Sequence, residues 1–470
     1  MGFDTIIKGG TVSTASDTFV ADVAIKDGVI AALGTGLTGA AETIDATGLD
    51  VLPGGIDSHV HLDEDKGPLI EMADDFATGT RAAVMGGNTT VLPFCVQEKG
   101  KSIREGLTAY HEKAAGSCYT DVSFHLIVAD PTPQVLGQEL PALVADGYTS
   151  FKIYMTYEGL KLNDAEILAT MDTARRTGAL VMVHCENEDA IRYLCDKFGE
   201  ENNLAPRAHA ESRPLAVERE ATHRAISLAE VVDVPLVIVH ISNGAALAEI
   251  ERARSRGRNV IAETCPQYLM LTEKDLDGMD WEGAKFVCSP PPRDEAEQQN
   301  IWRGIERGAF TLYSSDHCPF RFKSDKGKLN PKGRSDFRHI PNGIPGIECR
   351  LPILFSEGVM TGRISINEFV ALTATNHART YGLHPRKGTI AVGSDADIAL
   401  WDRNKKVTIA HADLNDNSDY TPYEGTKITG WPVTVLVRGR TVVADGALVS
   451  EKGFGTYLPR ALSQYARRAG

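Results

Sequence analysis

The sequence predicts an α/β protein, a (β/α)8 TIM-like barrel with a small β-sandwich domain built from both termini. Eight short apolar runs alternate with longer amphipathic stretches through the middle of the chain. Shorter, strand-like segments broken by turns occupy both ends. With 470 residues, 42% of them hydrophobic, the chain is long enough for one large core and a second, smaller domain.

The eight apolar runs are the candidate barrel strands, because runs of this length between helical stretches are typical of βα units. They lie near residues 51–61, 89–94, 122–129, 151–155, 180–186, 236–242, 260–266 and 311–317. Helices are predicted between them, for example over 163–176, 215–232 and 244–256. Asn163, with Glu166 three residues on, is a predicted helix N-cap.

The terminal segments predict one shared β-sandwich. Residues 5–12, 20–25 and 29–33 alternate like strands, and residues 396–402 and 433–440 show the same strand-like pattern. We therefore assign residues 1–52 and 385–450 to the sandwich and residues 53–384 to the catalytic barrel. Residues 451–470 are assigned to a C-terminal tail.

Composition narrows the classes of partner. The net charge of −14 and the lack of a clustered basic face disfavour nucleic acid. No run of 18 apolar residues is present and the chain begins with strand-like sequence, so we expect neither a membrane span nor a signal peptide. Eight scattered cysteines indicate reduced thiols rather than disulfides. The expected location is the cytoplasm.

Metal-ligand residue types end several of the predicted barrel strands. His59 and His61 are two residues apart, so both side chains face the same side of a strand. His184, His240 and Asp316 end the fifth, sixth and eighth runs. Any one of these could be an ordinary polar residue at a strand end. Because barrel enzymes carry their chemistry at the carboxyl ends of the strands, the set together predicts zinc or another divalent first-row ion.

Lys152 lies inside the apolar fourth run. A lysine there could simply extend its ammonium group to the surface. Four histidines and one aspartate, however, are few ligands for two metal ions. Burial favours the neutral amine, which can add carbon dioxide to give a carbamate with two metal-binding oxygens.

These motifs resemble the cyclic amidohydrolases, and within them the dihydropyrimidinase/D-hydantoinase family, nearly end to end. The resemblance rests on 54–63 (GGIDSHVHLD), 74–83 (DDFATGTRAA), 151–157 (FKIYMTY), 287–293 (VCSPPPR), 315–320 (SDHCPF) and 340–343 (IPNG). A further segment, 393–397 (GSDAD), resembles the returning sandwich domain of the wider superfamily.

The resemblance implies two Zn²⁺ ions per chain, bridged by N6-carboxylated Lys152 and a hydroxide. It assigns His59, His61 and Asp316 to one ion and His184 and His240 to the other. Such ions, about 3.5–4 Å apart, generate hydroxide near neutral pH.

The resemblance also implies substrate contacts. Tyr157 is expected to stabilise the oxyanion, and main-chain groups of Ser289 and Asn342 to grip the ureide edge. Asp316 is expected to carry a proton from the water to the departing ring nitrogen. The implied reaction opens dihydropyrimidines or 5-substituted hydantoins to N-carbamoyl amino acids.

One loop departs from the family pattern. D-hydantoinases usually follow the His-x-His motif with Leu-Asp and then apolar residues, whereas residues 62–67 here read LDEDKG. We expect this loop at the rim of the pocket, where its charged residues disfavour a bulky apolar substituent at ring position 5.

Alternative functions remain open at this point. Asp63 stands where dihydroorotases typically have a carboxylate-binding arginine, which argues against that activity. An allantoinase would share the same metal ligands. A non-catalytic, dihydropyrimidinase-related assembly protein would be expected to lack some of them. By family resemblance we expect a homotetramer that acts on a small molecule, without nucleic acid or membrane partners. The preferred ring, its substituent and its enantiomer do not follow from the sequence.

Overall fold

The computed structural model describes residues 2–465, whose strands form two sheets. The strands in chain order are β1 Phe3–Ser13, β2 Thr18–Lys26, β3 Val29–Gly34, β4 Ala40–Asp45, β5 Asp50–Pro53, β6 Gly55–Val60, β7 Asn88–Val96, β8 Asp121–Val122, β9 His125–Ile127, β10 Ser150–Tyr154, β11 Leu180–His184, β12 Leu236–Ile238, β13 Val260–Thr264, β14 Leu312–Tyr313, β15 Ile398–Thr408, β16 Lys427–Val437, β17 Arg440–Ala444 and β18 Ala447–Leu448.

The second sheet is the predicted parallel barrel. Its strands follow the order β6-β7-β9-β10-β11-β12-β13-β14, with β8 paired to β7, and each named pair is parallel. A parallel bridge between Val60 and His317 joins the first strand to the segment that follows the last. The strands therefore nearly close on themselves, and their carboxyl ends meet at one rim.

The first apolar run of the sequence contains two strands that belong to different sheets. β5 pairs antiparallel with β15 in the terminal sheet, whereas β6 begins the barrel two residues after β5 ends. Gly54 separates them, and a Cβ there would lie 2.2 Å from the Thr89 side chain. Glycine allows this close approach where the chain passes between the two sheets.

The terminal sheet is mixed and combines both ends of the chain, as predicted. Its order is β18-β17-β16-β15-β5-β1-β2-β3, and β4 pairs with β1. Ile7, Val23, Ile398 and Leu436 belong to one buried cluster, so both ends contribute to the same core. The domain boundaries at 52, 384 and 450 stay predictions. Residues 466–470 of the predicted tail lie outside the described residues.

Helices cover the barrel between successive strands. They are α1 Phe76–Met85, α2 Ile103–Ala114, α3 Leu140–Ala145, α4 Asp164–Thr177, α5 Glu188–Glu200, α6 Arg207–Glu211, α7 Leu215–Val232, α8 Gly244–Ser255, α9 Gln267–Met270, α10 Glu295–Glu306, α11 Arg350–Leu354, α12 Ile366–Val370 and α13 Asn376–Thr380. The predicted helices over 163–176, 215–232 and 244–256 are confirmed as α4, α7 and α8. Asn163 caps α4, and Glu166 bonds back to its backbone N–H. No helix within residues 2–465 combines the length and apolar character needed to cross a membrane.

Candidate active site

A cavity of about 390 Å³ opens at the rim where the barrel strands end. It contains all of the residues that the sequence singled out, so residues from six strands or their following loops converge on one space. Those residues are His59, His61, Lys152, Tyr157, His184, His240, Ser289, Asp316 and Asn342.

The strands deliver the six predicted metal ligands to this rim, and all six side chains are buried. His59 lies on β6 and His61 directly after it, Lys152 lies in β10, His184 ends β11, and His240 and Asp316 follow β12 and β14. Because the strands are parallel, residues at or just beyond their carboxyl ends point into a common region.

The ligand atoms are close to one another. Asp316 Oδ1 lies 3.2 Å from His59 Nε2 and 3.6 Å from His61 Nε2. Lys152 Nζ lies 3.3 Å from His59 Nε2. On the other side of the cluster, His184 Nδ1 and His240 Nε2 are 2.8 Å apart. Three candidate ligand atoms, one each from His59, His240 and Asp316, all lie within 4.8 Å of one another.

Three buried carboxylates orient three of the histidine rings. Each accepts a hydrogen bond from the ring nitrogen that faces away from the cluster, so the other nitrogen is left for a metal. The pairs are His59 Nδ1 with Glu263 Oε1 at 2.6 Å, His61 Nδ1 with Glu64 Oε1 at 2.5 Å and His184 Nε2 with Glu186 Oε2 at 2.8 Å.

The electrostatics of the cluster suit a cation. Burial is the main cause that holds the pKa of His59 well below its usual value, and the charge of Lys152 is the second cause. Burial also holds the pKa of His240 well below its usual value. Burial also lowers the pKa of Lys152 to about 8. Burial opposes ionisation of Asp316, but His59 and His61 outweigh it and lower the pKa. The neutral imidazoles of His59 and His240, a carboxylate and an amine with a lowered pKa therefore face each other. Burial opposes protonation of His61, but Glu64 and Asp316 outweigh it and raise the pKa of that ring.

The residues present fit a divalent metal ion. Imidazole nitrogen and carboxylate oxygen are the donors of zinc and similar first-row ions. Cys318 also lines the cavity, but burial raises its pKa to about 12, so it remains a thiol. The donor chemistry of the cluster suits a metal site.

Tyr157 faces the cluster from the loop after β10. Its backbone has a φ of 73°, and Glu188 Oε2 accepts a hydrogen bond from its N–H at 3.2 Å. Burial is the main cause that raises the pKa of the phenol, and the charge of Glu186 adds to it. Hydrogen bonds with Ser289 and Asn342 lower the pKa but are outweighed. The hydroxyl therefore keeps its proton and can donate it in a hydrogen bond.

Lys328 joins the two segments that carry Ser289 and Asn342. Its fully buried Nζ donates to the carbonyl oxygens of Val287 at 2.6 Å and Pro341 at 2.7 Å. Burial lowers the pKa of Lys328 to about 7. This residue is not predictable from the sequence, because it lies in a polar loop with no periodicity.

The loop 62–67 forms the rim only in part. Lys66 lines the cavity, as expected, whereas Asp65 is exposed outside it. Glu64 turns inward and binds His61, so its charge faces a predicted metal ligand and not a substituent. Of Glu64, Asp65 and Lys66, only Lys66 therefore lines the cavity. A carboxylate three residues after a predicted metal-binding histidine was the available signal.

His317 follows Asp316 but belongs to a different environment. Its Nε2 lies 3.0 Å from Asp74 Oδ2, and its Nδ1 accepts the Gly346 N–H at 3.1 Å. Both ring nitrogens are engaged and the side chain is fully buried outside the cavity lining. It is a structural residue between the rim and the following loop.

Comparison with known proteins defines the class first: residues 51–442 match the amidohydrolase family model. The chain belongs to the amidohydrolase family and, within it, to the hydantoinase group. It is 47% identical to the D-hydantoinase of Ralstonia pickettii, over 97% of this chain and 99% of that protein.

Solved structures agree. A D-hydantoinase from Bacillus sp. AR9 is 46% identical with a TM-score of 0.95, covering 98% of this chain and 99% of its own. A dihydropyrimidinase from Brevibacillus agri NCHU1002 is 44% identical with a TM-score of 0.94, at the same two coverages. The predicted family, enzyme class and fold are confirmed.

Proposed function

We propose that this enzyme opens the ring amide of dihydropyrimidines or 5-substituted hydantoins, giving N-carbamoyl amino acids. The observation that carries the proposal is the convergence of four imidazoles, one carboxylate and a buried lysine on one cavity, with a phenol hydroxyl beside them. The names of the similar proteins, D-hydantoinase and dihydropyrimidinase, favour the same substrates.

Two zinc ions are proposed as the cofactor. His59, His61 and Asp316 would hold one, and His184 and His240 the other. Lys152 would be shared after its neutral amine adds carbon dioxide and loses a proton, which gives a carbamate with two donor oxygens. The lowered pKa of Lys152 supports this step, because the free amine is the nucleophile. When bound, the ions acidify a water molecule and polarise the ring carbonyl.

The protein groups then divide the remaining tasks. Tyr157 donates a hydrogen bond to the carbonyl oxygen, and this bond strengthens as negative charge develops. Asp316 accepts the proton of the attacking water and passes it to the departing ring nitrogen. Main-chain groups of Ser289 and Asn342 hold the ureide edge, and Lys328 fixes the spacing of their two segments.

Two alternatives are weaker. An allantoinase would use the same ligands, but the names of the similar proteins favour hydantoins and dihydropyrimidines. A non-catalytic assembly protein has no need for three carboxylates that orient the histidine rings. Each of the predicted ligand positions carries its expected residue.

A substrate panel with metal analysis tests the proposal. Purified protein, supplied with zinc and bicarbonate, should contain about two ions per chain. It should convert dihydrouracil or 5-substituted hydantoins to N-carbamoyl amino acids, detected by mass spectrometry, faster than allantoin or dihydroorotate. One ion or fewer per chain would refute the dinuclear site, and faster turnover of allantoin would favour the allantoinase alternative.

The assembly and location of the protein are also proposals. The family resemblance supports a homotetramer, and the expected reduced state of the scattered cysteines supports the cytoplasm. Light scattering coupled to size-exclusion chromatography tests the first, and fractionation of the producing cells tests the second.

A further inference from the structure

The cavity has a charged outer part that the ring chemistry does not use. In the proposed function, the reacting carbonyl faces the metal cluster and Tyr157, and the ureide edge faces Ser289 and Asn342. The ring carbon that carries the substituent is left to face the rest of the lining. That remainder includes Lys66, Ile70, Leu160, Phe320 and Arg338.

Positive charge dominates this outer part. Asp316, at the metal end, is the one carboxylate among the described residues that line the cavity. Lys66 and Arg338 line the mouth. Arg338 is held by Asp336, whose carboxylate lies outside the lining. An anionic group that enters the mouth would therefore meet cations before it meets a carboxylate.

Lys66 is held at the edge of the metal cluster. Its Nζ donates to Glu64 Oε2 at 2.5 Å, and the other oxygen of Glu64 binds His61 Nδ1 at 2.5 Å. The Glu64 side chain is 2% exposed, whereas that of Lys66 is 29% exposed. The Lys66 ammonium has three N–H donors, and the bond to Glu64 uses one of them. The other donors remain for a group inside the cavity.

The neighbouring walls strengthen such a contact. Ile70, Leu160 and Phe320 are apolar residues of the same cavity lining. A charge-assisted hydrogen bond is stronger in such an environment than in open solvent. The same walls can pack against the methylene groups of a short side chain.

We propose that Lys66 recognises a carboxylate on the ring substituent, so that the preferred substrates are cyclic ureides with a short acidic side chain. This inference rests on the proposed function and narrows its substrate class. Lys66 is a specificity residue for the substituent and takes no part in the opening of the ring.

The test compares two hydantoins of equal size. One carries a carboxyethyl group at position 5 and the other the corresponding primary amide, so they differ in charge and not in shape. With the zinc-loaded wild-type enzyme, kcat/KM for the acid should exceed that for the amide by about 10- to 100-fold. A ratio of one or less would overturn the proposal.

Variants identify the residue responsible. Lys66→Gln should reduce the acid-to-amide ratio to about one, and Lys66→Arg should retain a clear preference for the acid. Lys326→Gln is the matched control, because Lys326 also pairs with a glutamate nearby but does not line the cavity. Its ratio should equal that of the wild type.

Two further outcomes contradict the proposal in distinguishable ways. In one, kcat/KM of Lys66→Gln falls equally for the acid, the amide and unsubstituted hydantoin, so that the acid-to-amide ratio is preserved. Lys66 would then only support Glu64 and His61. Failure of the wild type to open any of the three rings would refute the proposed function itself.

Discussion

Three residues that line the cavity have a left-handed backbone conformation. Tyr157, His240 and Asp316 have φ values of 73°, 39° and 51°, in a region that non-glycine residues seldom adopt. Each such residue costs about 1–3 kcal/mol unless the surroundings impose it. All three belong to the predicted site, so the fold accepts a local cost where side chains must be aimed into the cavity.

Asp316 is proposed to hold a metal and to move a proton, and Asp316→Asn separates the two tasks. The amide keeps an oxygen that can face the metal but cannot accept the proton from water. We expect kcat to fall by about 10²–10⁴, with the metal content much less affected. Steady-state kinetics and elemental analysis of the same preparation measure both. Full turnover would mean that the proton takes another route, and His317, with both ring nitrogens engaged, is not placed to provide it.

Tyr157→Phe removes a hydroxyl whose hydrogen bond matters most when the carbonyl oxygen becomes negative. The cost should appear mainly in kcat, by about 10²–10³, with KM little changed. Tyr154→Phe is the matched control, since Tyr154 lines the same cavity and packs against His184. It should change kcat far less. A raised KM with an unchanged kcat in Tyr157→Phe would make Tyr157 an ordinary binding residue.

At the scale of strands and helices, periodicity and charge placement predicted most of what the structure contains. Lys152 in β10 was recognised because a charged residue interrupts an apolar strand. Glu263 in β13 carries the same signal, and it was overlooked although its carboxylate binds His59. Strand geometry makes such residues predictable, because a charge in a buried strand must face a cavity or a partner.

The loops were less predictable for a physical reason. Lys328 binds the carbonyl oxygens of Val287 and Pro341, which are 41 and 13 residues away in sequence. Glu64 and Lys66 are two residues apart and yet take different roles, one behind His61 and one in the cavity. Loop conformation depends on such contacts between distant segments, and a single sequence does not contain them.

Strand β10 also provides the test of the carbamate. Lys152→Ala should lose turnover and retain at most one ion, because no bridging group replaces the side chain. A short carboxylic acid added to the medium should restore part of the activity by supplying oxygens in the space left. Lys152→Arg should be inactive and should not respond to the acid, since a guanidinium neither deprotonates nor leaves that space. Near-normal turnover of Lys152→Arg would refute the carbamate.

At the scale of the whole molecule, a buried ion network joins the terminal sheet to the barrel. Lys387 Nζ donates to Asp121 Oδ2 at 2.7 Å and to Asp397 Oδ2 at 2.6 Å. Asp121 begins β8 of the barrel sheet, and Asp397 precedes β15 of the terminal sheet. The Arg438 guanidinium also donates to Asp121, and the Arg438 backbone N–H donates to Asp397. Both sheets therefore depend on the same charges for their relative position.

Removal of the central cation should destabilise the molecule as a unit. Lys387 is 1% exposed, so Lys387→Met leaves buried carboxylates without their main partner, and we expect a loss of about 3–5 kcal/mol in the free energy of unfolding. Lys101→Met is the control: Lys101 lies 2.7 Å from Glu98, but both side chains are more than half exposed, and such pairs contribute about 0–1 kcal/mol. Denaturant unfolding of both variants, with matched metal content, measures the difference.

The Lys387 variant should remain active at temperatures below its transition, because Lys387 does not line the cavity. Equal stability of the two variants would show that Lys387 contributes little to the junction of the two sheets.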